Sequence, residues 1–453
     1  MKLSRRLGFG AGVLVLTGAL VMGFGGCTNP GDSGNAGSGG EDAPAKVTEV
    51  MVFEGGYGKD FYEAAAKEFT EKTGNEVKVI GDPRIDQQMM PRMQKGDPPG
   101  LAYPGWRFDS WKAVQDGAVE DLTAALKEPA HGSETPWGET FNQGLLKLGQ
   151  KDGKQYLMPY FFSVFGWWYD PDLFEEKGWK VPNTYAELLA LCQQMKASGM
   201  APITYQGQYP DYMISGMLQP WIISGGGSEA MDSCQNLEPG AWTSKPVIQA
   251  AKMIRELRDM GYFQSGATAL SHTESQAEFL NRRAAMIPCG TWLYSEMKKE
   301  MPAGRRIKFF LPPVIGDGKG DPTAMMVKIE PWFVPSGSKN KKTAIDFFKY
   351  LTSKEKATQF VKEKGTFMSI LGSDPADLPE DLASAATFYK ASNKLWASQW
   401  REWYPNFYKV VGDKLTELLN GKLSPEEFGA AVEAEAEKVR KDDSVSKYKY
   451  SSN

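Results

Sequence analysis

The sequence predicts an α/β protein with two lobes, and three features of the chain lead to this prediction. Apolar stretches of strand length alternate with stretches of helical periodicity between residues 48 and 440. The folded part opens with a strand, a glycine-rich loop, a helix and a second strand, which is the pattern of a parallel sheet. The 427 residues that follow a 26-residue leader are too many for a domain with a single hydrophobic core. They suit two lobes of about 200 residues each.

Residues 1–26 have the composition of an export signal. Three basic residues precede an uncharged stretch over 7–26, and the leader contains no acidic residue. The exit, Phe24-Gly-Gly-Cys27, resembles the lipobox of bacterial lipoproteins, in which the Cys carries the lipid and becomes the first mature residue. Phe24 departs from the usual aliphatic residue. We therefore expect a lipid on Cys27, with secretion without a lipid and a retained membrane helix as the alternatives.

The export route stays open. Residues 4–7 resemble a twin-arginine start, but Gly8 occupies a position where that motif prefers an apolar residue. The sequence therefore does not choose between general secretion and twin-arginine export.

Residues 27–45 are predicted to form a flexible tether. After Cys27 the composition is mostly Gly, Ser, Asn, Asp, Ala and Pro, without aromatic or large aliphatic side chains. Such a chain has a root-mean-square span of roughly 20–25 Å. From residue 27 onward the chain carries 49 basic and 56 acidic residues, a net charge of −7. No basic block indicates a nucleic-acid partner, and no later apolar run reaches the length of a membrane span.

The folded part is predicted element by element. A short strand at 50–53 ends at Gly55-Gly56, and the apolar residues of the next stretch recur at helical spacing up to Phe69. Thr73-Gly74 ends that helix. The other predicted strands are 76–80, 101–103, 201–205, 284–288 and 308–311, and the other predicted helices are 185–195, 247–260, 343–351 and 428–440.

The small number of His and Cys residues limits which metal sites, nucleophiles and disulfides the chain can form. His131 and His272 are the only histidines, so no metal site, cofactor or His-based nucleophile is expected. If Cys27 is lipidated, Cys192, Cys234 and Cys289 remain. These three could form one disulfide and leave one thiol, and the pairing stays open.

Several motifs, in order and spacing, resemble the extracellular solute-binding proteins of family 1 that serve carbohydrate ABC importers. The resemblance covers nearly all of residues 48–440. It departs from the family pattern at Trp167-Trp168, at Asn281-Arg282 and at Gly100. The motifs are Gly96–Gly100, Tyr169-Asp170 with Phe174, Glu176 and Gly178, Pro182-x-Thr184-Tyr185-x-Glu187-Leu188, Phe279–Met286 with Gly290-Thr-Trp292, Ser338–Phe348 and Leu351–Lys354.

Three further stretches most resemble the branch of that family that binds N-acetylglucosamine and diacetylchitobiose. They are residues 53–58 (FEGGYG), 88–99 (QMMPRMQKGDPP) and Trp403-Tyr404-Pro405.

The resemblance implies a two-lobed periplasmic-binding-protein type II fold with a hinge and an interlobe ligand cleft. By analogy, lobe 1 is 46–160 plus 313–370 and lobe 2 is 161–312 plus 371–450. The chain would cross between the lobes near 159–163, 312–314 and 365–371. The implied partners are a carbohydrate ligand and the permease subunits and ATPase of an ABC importer. The implied receptor is a monomer held by lipid at the outer face of the cell membrane.

A sugar is recognised by aromatic rings against its C–H faces and by planar polar groups at its hydroxyls. Glu54 and Tyr57 share a glycine loop after the first strand, and Trp106 follows a strand and a Gly. Trp292 also follows a strand and Gly290, and it is the leading candidate. The alternative for each aromatic ring is core packing, and for each charged group a solvated ion pair. The full set of candidates is Glu54, Tyr57, Arg84, Trp106, Asp109, Trp221, Trp292, Trp332, Trp403 and Tyr404.

Two other functions stay open. A lipid-anchored glycan hydrolase or lyase would need two carboxylates at a set separation, and no motif singles out such a pair among 56 acidic residues. A receptor for another solute, such as an oligopeptide or a metal chelate, is the third hypothesis. The scarcity of His argues against free metal.

Overall fold

The structure, a computed structural model, describes residues 47–105 and 107–449. The leader, Cys27 and the whole tether lie outside the described residues, as does Trp106. No helix in the described part is long and apolar enough to span a bilayer.

The strands and helices of the described ranges alternate along the chain. The strands are β1 Val47–Phe53, β2 Glu76–Asp82, β3 Leu101–Tyr103, β4 Gln150–Lys151, β5 Lys154–Gln155, β6 Met158–Tyr169, β7 Ala201–Ile203, β8 Ala284–Gly290, β9 Lys308–Phe310, β10 Met325–Trp332, β11 Phe367–Met368 and β12 Leu395–Ala397.

The helices follow the same order. They are α1 Asp60–Thr73, α2 Ile85–Gln94, α3 Ser110–Gln115, α4 Gln143–Lys147, α5 Pro171–Lys177, α6 Tyr185–Ala197, α7 Asp211–Met213, α8 Gln219–Gly226, α9 Ser228–Gln235, α10 Lys245–Asp259, α11 His272–Leu280, α12 Trp292–Met297, α13 Lys341–Leu351, α14 Lys354–Lys364, α15 Glu380–Ala391, α16 Trp400–Trp403, α17 Pro405–Leu419 and α18 Pro425–Lys441.

The first lobe is built on a small parallel sheet of order β2-β1-β3. The predicted strand–helix–strand opening is confirmed, because α1 connects two parallel neighbours. Gly74 ends α1 in a left-handed conformation with φ 75°, which costs glycine little. The carboxyl ends of β1 and β3 consequently lie at the same edge of the sheet, where the following loops can reach a ligand.

The second sheet connects the lobes and has the order β12-β10-β6-β8-β7. β6 pairs antiparallel with β10 through its first half and with β8 through its second half. Trp167 and Trp168 are adjacent on β6 and therefore point to opposite faces. Both rings are fully buried, Trp167 in a core of the second lobe (the second-lobe core) and Trp168 in a larger core to which both lobes contribute. β6 and β10 thus contribute residues to both cores.

Residues 313–320 pack against α8. The Trp221 indole donates to the Pro313 carbonyl at 2.9 Å, and the Ile315 amide donates to Ser224 Oγ at 2.8 Å. Both partners belong to α8 of the second lobe. The lobe bounds and the crossing near 312–314 stay predictions.

The three cysteines in the described part are buried free thiols. Cys192 and Cys234 belong to the second-lobe core, whereas Cys289 lies in the core shared with the first lobe. Burial raises the pKa of all three thiols. The disulfide that the sequence left open is therefore not formed in this structure.

Candidate functional site

A cleft of about 590 Å³ opens where elements of both lobes meet. The loop after β3 contributes from one side, and α7 with the stretch before it, α16 and the first half of α17 contribute from the other. Its lining is rich in planar polar groups and contains two aromatic rings. The lining residues are Arg107, Phe108, Asp109, Gln208, Pro210, Asp211, Arg401, Glu402, Pro405, Tyr408, Lys409, Gly412 and Asp413.

A smaller cavity of about 50 Å³ shares Arg401, Glu402 and Tyr408 with this cleft. Lys328 lines it from β10, next to Glu330 on the same strand face, because residues two apart in a strand point to the same side. The Tyr103 hydroxyl of β3 donates to Glu330 Oε2 at 3.2 Å. Charged groups of β10 and α16 are thus brought together between the lobes.

Ion pairing and burial determine the protonation of these charged side chains. Arg401 forms a salt bridge with Asp211 at 3.2 Å. Burial raises the pKa of Glu330 and lowers that of Lys328. It raises the pKa of Glu402 to about 7, against the opposing charges of Arg401 and Lys328. The Glu402 carboxyl can therefore donate or accept a hydrogen bond near neutral pH.

Replacing Glu402 by glutamine should make stability less dependent on pH. The folded-state pKa of Glu402 lies above the ordinary value of about 4.3. Its contribution to stability is therefore complete below about pH 4.5 and is lost as the pH rises through 7. From pH 5 to 8 we expect this contribution to fall by about 2 kcal/mol, after allowance for partial solvent access.

Urea unfolding at pH 5, 6, 7 and 8 measures this change. Glu402→Gln should flatten the dependence by that amount, whereas Glu437→Gln on the exposed face of α18 should leave it as in the wild type. Equal slopes in the wild type and Glu402→Gln would contradict the raised pKa.

Trp292 lies next to Lys328, outside the lining of both cavities. Its half-buried ring packs edge-on against Phe165 at 5.5 Å and Tyr212 at 5.9 Å, and Lys328 Nζ lies 5.7 Å from its centroid. The preceding Gly290 makes room for the ring, because a Cβ there would come within 2.1 Å of the indole. The spacing Gly290-x-Trp292 thus has a steric cause. The structure places this candidate against both cores, at the seam between the lobes.

The loop after β1 approaches the second lobe. A Cβ at Gly56 would lie 3.5 Å from Glu296 Cγ of α12, so the backbone here passes close to the facing lobe. Tyr57 is half-buried, packs against Phe161 at 5.1 Å and lies beside Ser163 and Thr366. Burial raises the pKa of its hydroxyl to about 12.

The predicted charged residues have different surroundings. Glu54 is partly exposed and lies 3.9 Å from Lys59. Asp109 lines the cleft and caps α3 by accepting from the Lys112 amide at 2.8 Å. Burial raises the pKa of the Asp109 carboxyl. Arg84 is exposed beside α2 and is not among the cleft residues.

The remaining predicted aromatic residues divide between core and seam. Trp221 and Trp332 are fully buried. Trp403 is half-buried at the seam of the lobes. Tyr404 is buried beside it. Trp106 lies outside the described residues. Asp109, Trp292 and Trp403 are therefore the candidates that the structure places along the interlobe seam.

Sequence reasoning missed Lys328, Glu330, Arg401 and Glu402. Lys328 and Glu330 interrupt an otherwise apolar strand at a spacing of two. This pattern can signal charged groups facing one buried site. Arg401 and Glu402 directly precede Trp403, but nothing local indicates that they approach β10. In the described part of the chain, no group of three His, Cys, Asp or Glu residues could hold a metal.

Comparisons with known proteins agree on one class. Residues 64–388 match the family described as bacterial extracellular solute-binding protein. The chain is 26% identical over 419 residues to the diacetylchitobiose binding protein NgcE of Streptomyces coelicolor, covering 90% of this chain and 88% of that protein. A solved chitin oligosaccharide binding protein superposes with a TM-score of 0.72 at 21% identity, over 86% of this chain and 98% of that one. RafE in complex with raffinose gives 0.68 at 20% identity, over 86% and 98%.

Proposed function

The chain belongs to the bacterial extracellular solute-binding proteins, and from this premise we propose that it captures a sugar between its lobes and delivers it to an ABC importer. The observation that carries the proposal is the cleft itself. Arg107, Asp109, Asp211, Arg401 and Glu402 offer planar polar groups within one interlobe space. Such groups bind the vicinal hydroxyls of a sugar, and Trp292 nearby offers an aromatic face.

The sugar class we propose is N-acetylglucosamine or its β-linked dimer. The support is the likeness to the diacetylchitobiose binding protein over nine-tenths of the chain. The chitin oligosaccharide binding protein has the same fold. Carboxyl groups of raised pKa would suit an acetamido group, because a protonated carboxyl can donate to its carbonyl oxygen.

We further propose that the receptor acts as a monomer held at the outer face of the membrane by a lipid on Cys27. The support is the basic, apolar and small-residue order of the leader, followed by the tether. Tethering raises the local concentration of the receptor beside its permease, so bound sugar does not diffuse away before transfer.

Calorimetry and tryptophan fluorescence with four sugars test the function. We expect saturable binding of N-acetylglucosamine or diacetylchitobiose, with maltose and xylobiose as matched controls that bind much more weakly. Closure around the ligand should change the fluorescence, because Trp292 and Trp403 lie at the seam. No response to any of the four sugars would defeat the proposal.

The same samples separate the receptor from the hydrolase alternative. The products of an overnight incubation with diacetylchitobiose are analysed by chromatography. Intact disaccharide supports the receptor, whereas release of the monosaccharide would favour the enzyme.

A further inference from the structure

The segment 442–449 follows α18 and turns back toward the first lobe. Its first residues form a compact turn, in which the Val445 amide donates to the Asp442 carbonyl at 3.2 Å. Lys447 Nζ donates to the same carbonyl at 2.7 Å. Beyond this turn, Ser446 Oγ donates to Gln115 Oε1 of α3 at 3.0 Å. The segment therefore reaches from a helix of the second lobe to a helix of the first.

Tyr448 occupies the centre of this bridge. Its ring stacks on the Trp403 indole with centroids 4.9 Å apart and an interplanar angle of 7°. Trp111 of α3 meets the same ring edge-on at 6.4 Å. The Tyr448 amide donates to the Tyr404 hydroxyl at 3.0 Å. Tyr448 and Trp403 each pack against both the second-lobe core and the small first-lobe core around Trp111.

The bridge lies beside the candidate site. α3, which carries Trp111 and Gln115, begins at its cap Asp109, and Asp109 lines the cleft. α16, which carries Trp403, also carries Arg401 and Glu402 of the same cleft. A shift of Trp403 therefore shifts the helix that presents two cleft residues.

Stacking of two aromatic planes restricts the rotation of both rings. A ring that is already ordered loses less conformational entropy when a ligand binds beside it. We propose that Tyr448 is a positioning residue of the interlobe cleft, where it holds the Trp403 ring and joins the 442–449 segment to α3. The affinity part of this proposal rests on the proposed sugar-binding function.

The test compares Tyr448→Ala with Tyr448→Phe, using diacetylchitobiose as the probe. Tyr448→Ala should bind about tenfold more weakly, because the Trp403 ring is then ordered only when the sugar binds. Tyr448→Phe should keep the wild-type affinity, because the ring makes the stack and the backbone amide makes the bond to Tyr404. Asp443→Ala, at an exposed position of the same segment, is the matched control and should bind like the wild type. Wild-type affinity in Tyr448→Ala would overturn the proposal.

A double-mutant cycle separates positioning from a general loss of stability. In the Trp403→Ala background, Tyr448→Ala should cause no further loss of affinity, because the ring that it positions is gone. Cooperative melting of each variant shows that the fold is kept. Additive losses from the two changes would overturn the proposal.

A measurement without sugar keeps the two proposals distinguishable. The tryptophans are labelled as 5-fluorotryptophan, and the fluorine resonance of Trp403 is assigned by its absence in Trp403→Phe. Tyr448→Ala should shift or broaden this resonance, while Asp443→Ala should not. If the wild type binds none of the sugars, the proposed function fails. Independently of that result, a Trp403 resonance that does not change in Tyr448→Ala would overturn the role of Tyr448.

Discussion

Trp292→Ala is expected to lower the affinity for diacetylchitobiose at least about 100-fold, equivalent to about 2.7 kcal/mol of binding free energy. Trp292 is half-buried where two cores meet, so part of its ring is free to contact a ligand. Because the ring is not fully enclosed, its loss should cost less stability than the loss of a core tryptophan. Calorimetry gives the affinity, and thermal melting gives the stability.

Trp179→Ala is the matched control for this change. Trp179 packs on Phe174 at 5.7 Å and belongs to the second-lobe core alone, whereas Trp292 contacts two cores. It should lose some stability and keep wild-type affinity. If Trp292→Ala keeps its affinity, or if it no longer melts cooperatively, the ring serves packing instead of binding.

Trp332→Ala is expected to destabilise the fold by about 3–5 kcal/mol, the range for removing a fully buried large ring. Trp332 is fully buried. Its ring is stacked near Tyr103 at 5.4 Å and near Phe348 at 5.5 Å, and Tyr62 and Tyr160 complete its surroundings. Alanine would leave a cavity between rings that four different elements hold. The cavity can close only if β10 or one of those elements moves. Urea unfolding measures the loss.

Trp332→Phe separates volume from position. Phenylalanine keeps most of the stacked ring and should lose much less stability than alanine. Sugar affinity measured below the melting temperature should change little in Trp332→Phe. A strong loss of affinity with unchanged stability would show that the ring contacts the ligand, as the sequence proposed.

The sequence predicted local elements well, because local chemistry determines them. Gly74 ends α1, and the Thr184 and Glu187 side chains form a capping box at the start of α6. The predicted strand at 76–80 and helix at 343–351 differ from β2 and α13 by at most two residues at either end. Periodicity and end signals depend on residues within one turn or one strand, so they can be recognised without knowing how the rest of the chain folds.

The same sequence could not separate binding rings from core rings. Trp221, Trp292 and Trp332 each lie at or beside a strand end or a glycine run, and each was a candidate. Only Trp292 of the three is left partly exposed at the seam, because β8 and α12 place it where the cores meet. Exposure depends on what packs over a ring, and that partner comes from elsewhere in the chain.

By itself, the sequence determined the α/β class, the parallel opening sheet and the resemblance to the family. These follow from periodicity, end signals and motif order. The tertiary structure alone brought Lys328 of β10 and Arg401 of α16 to one cavity, although 73 residues separate them in the chain. It likewise laid Tyr448 on Trp403 and against Trp111. Such contacts depend on how β6 and β10 join two lobes, which local propensity does not encode.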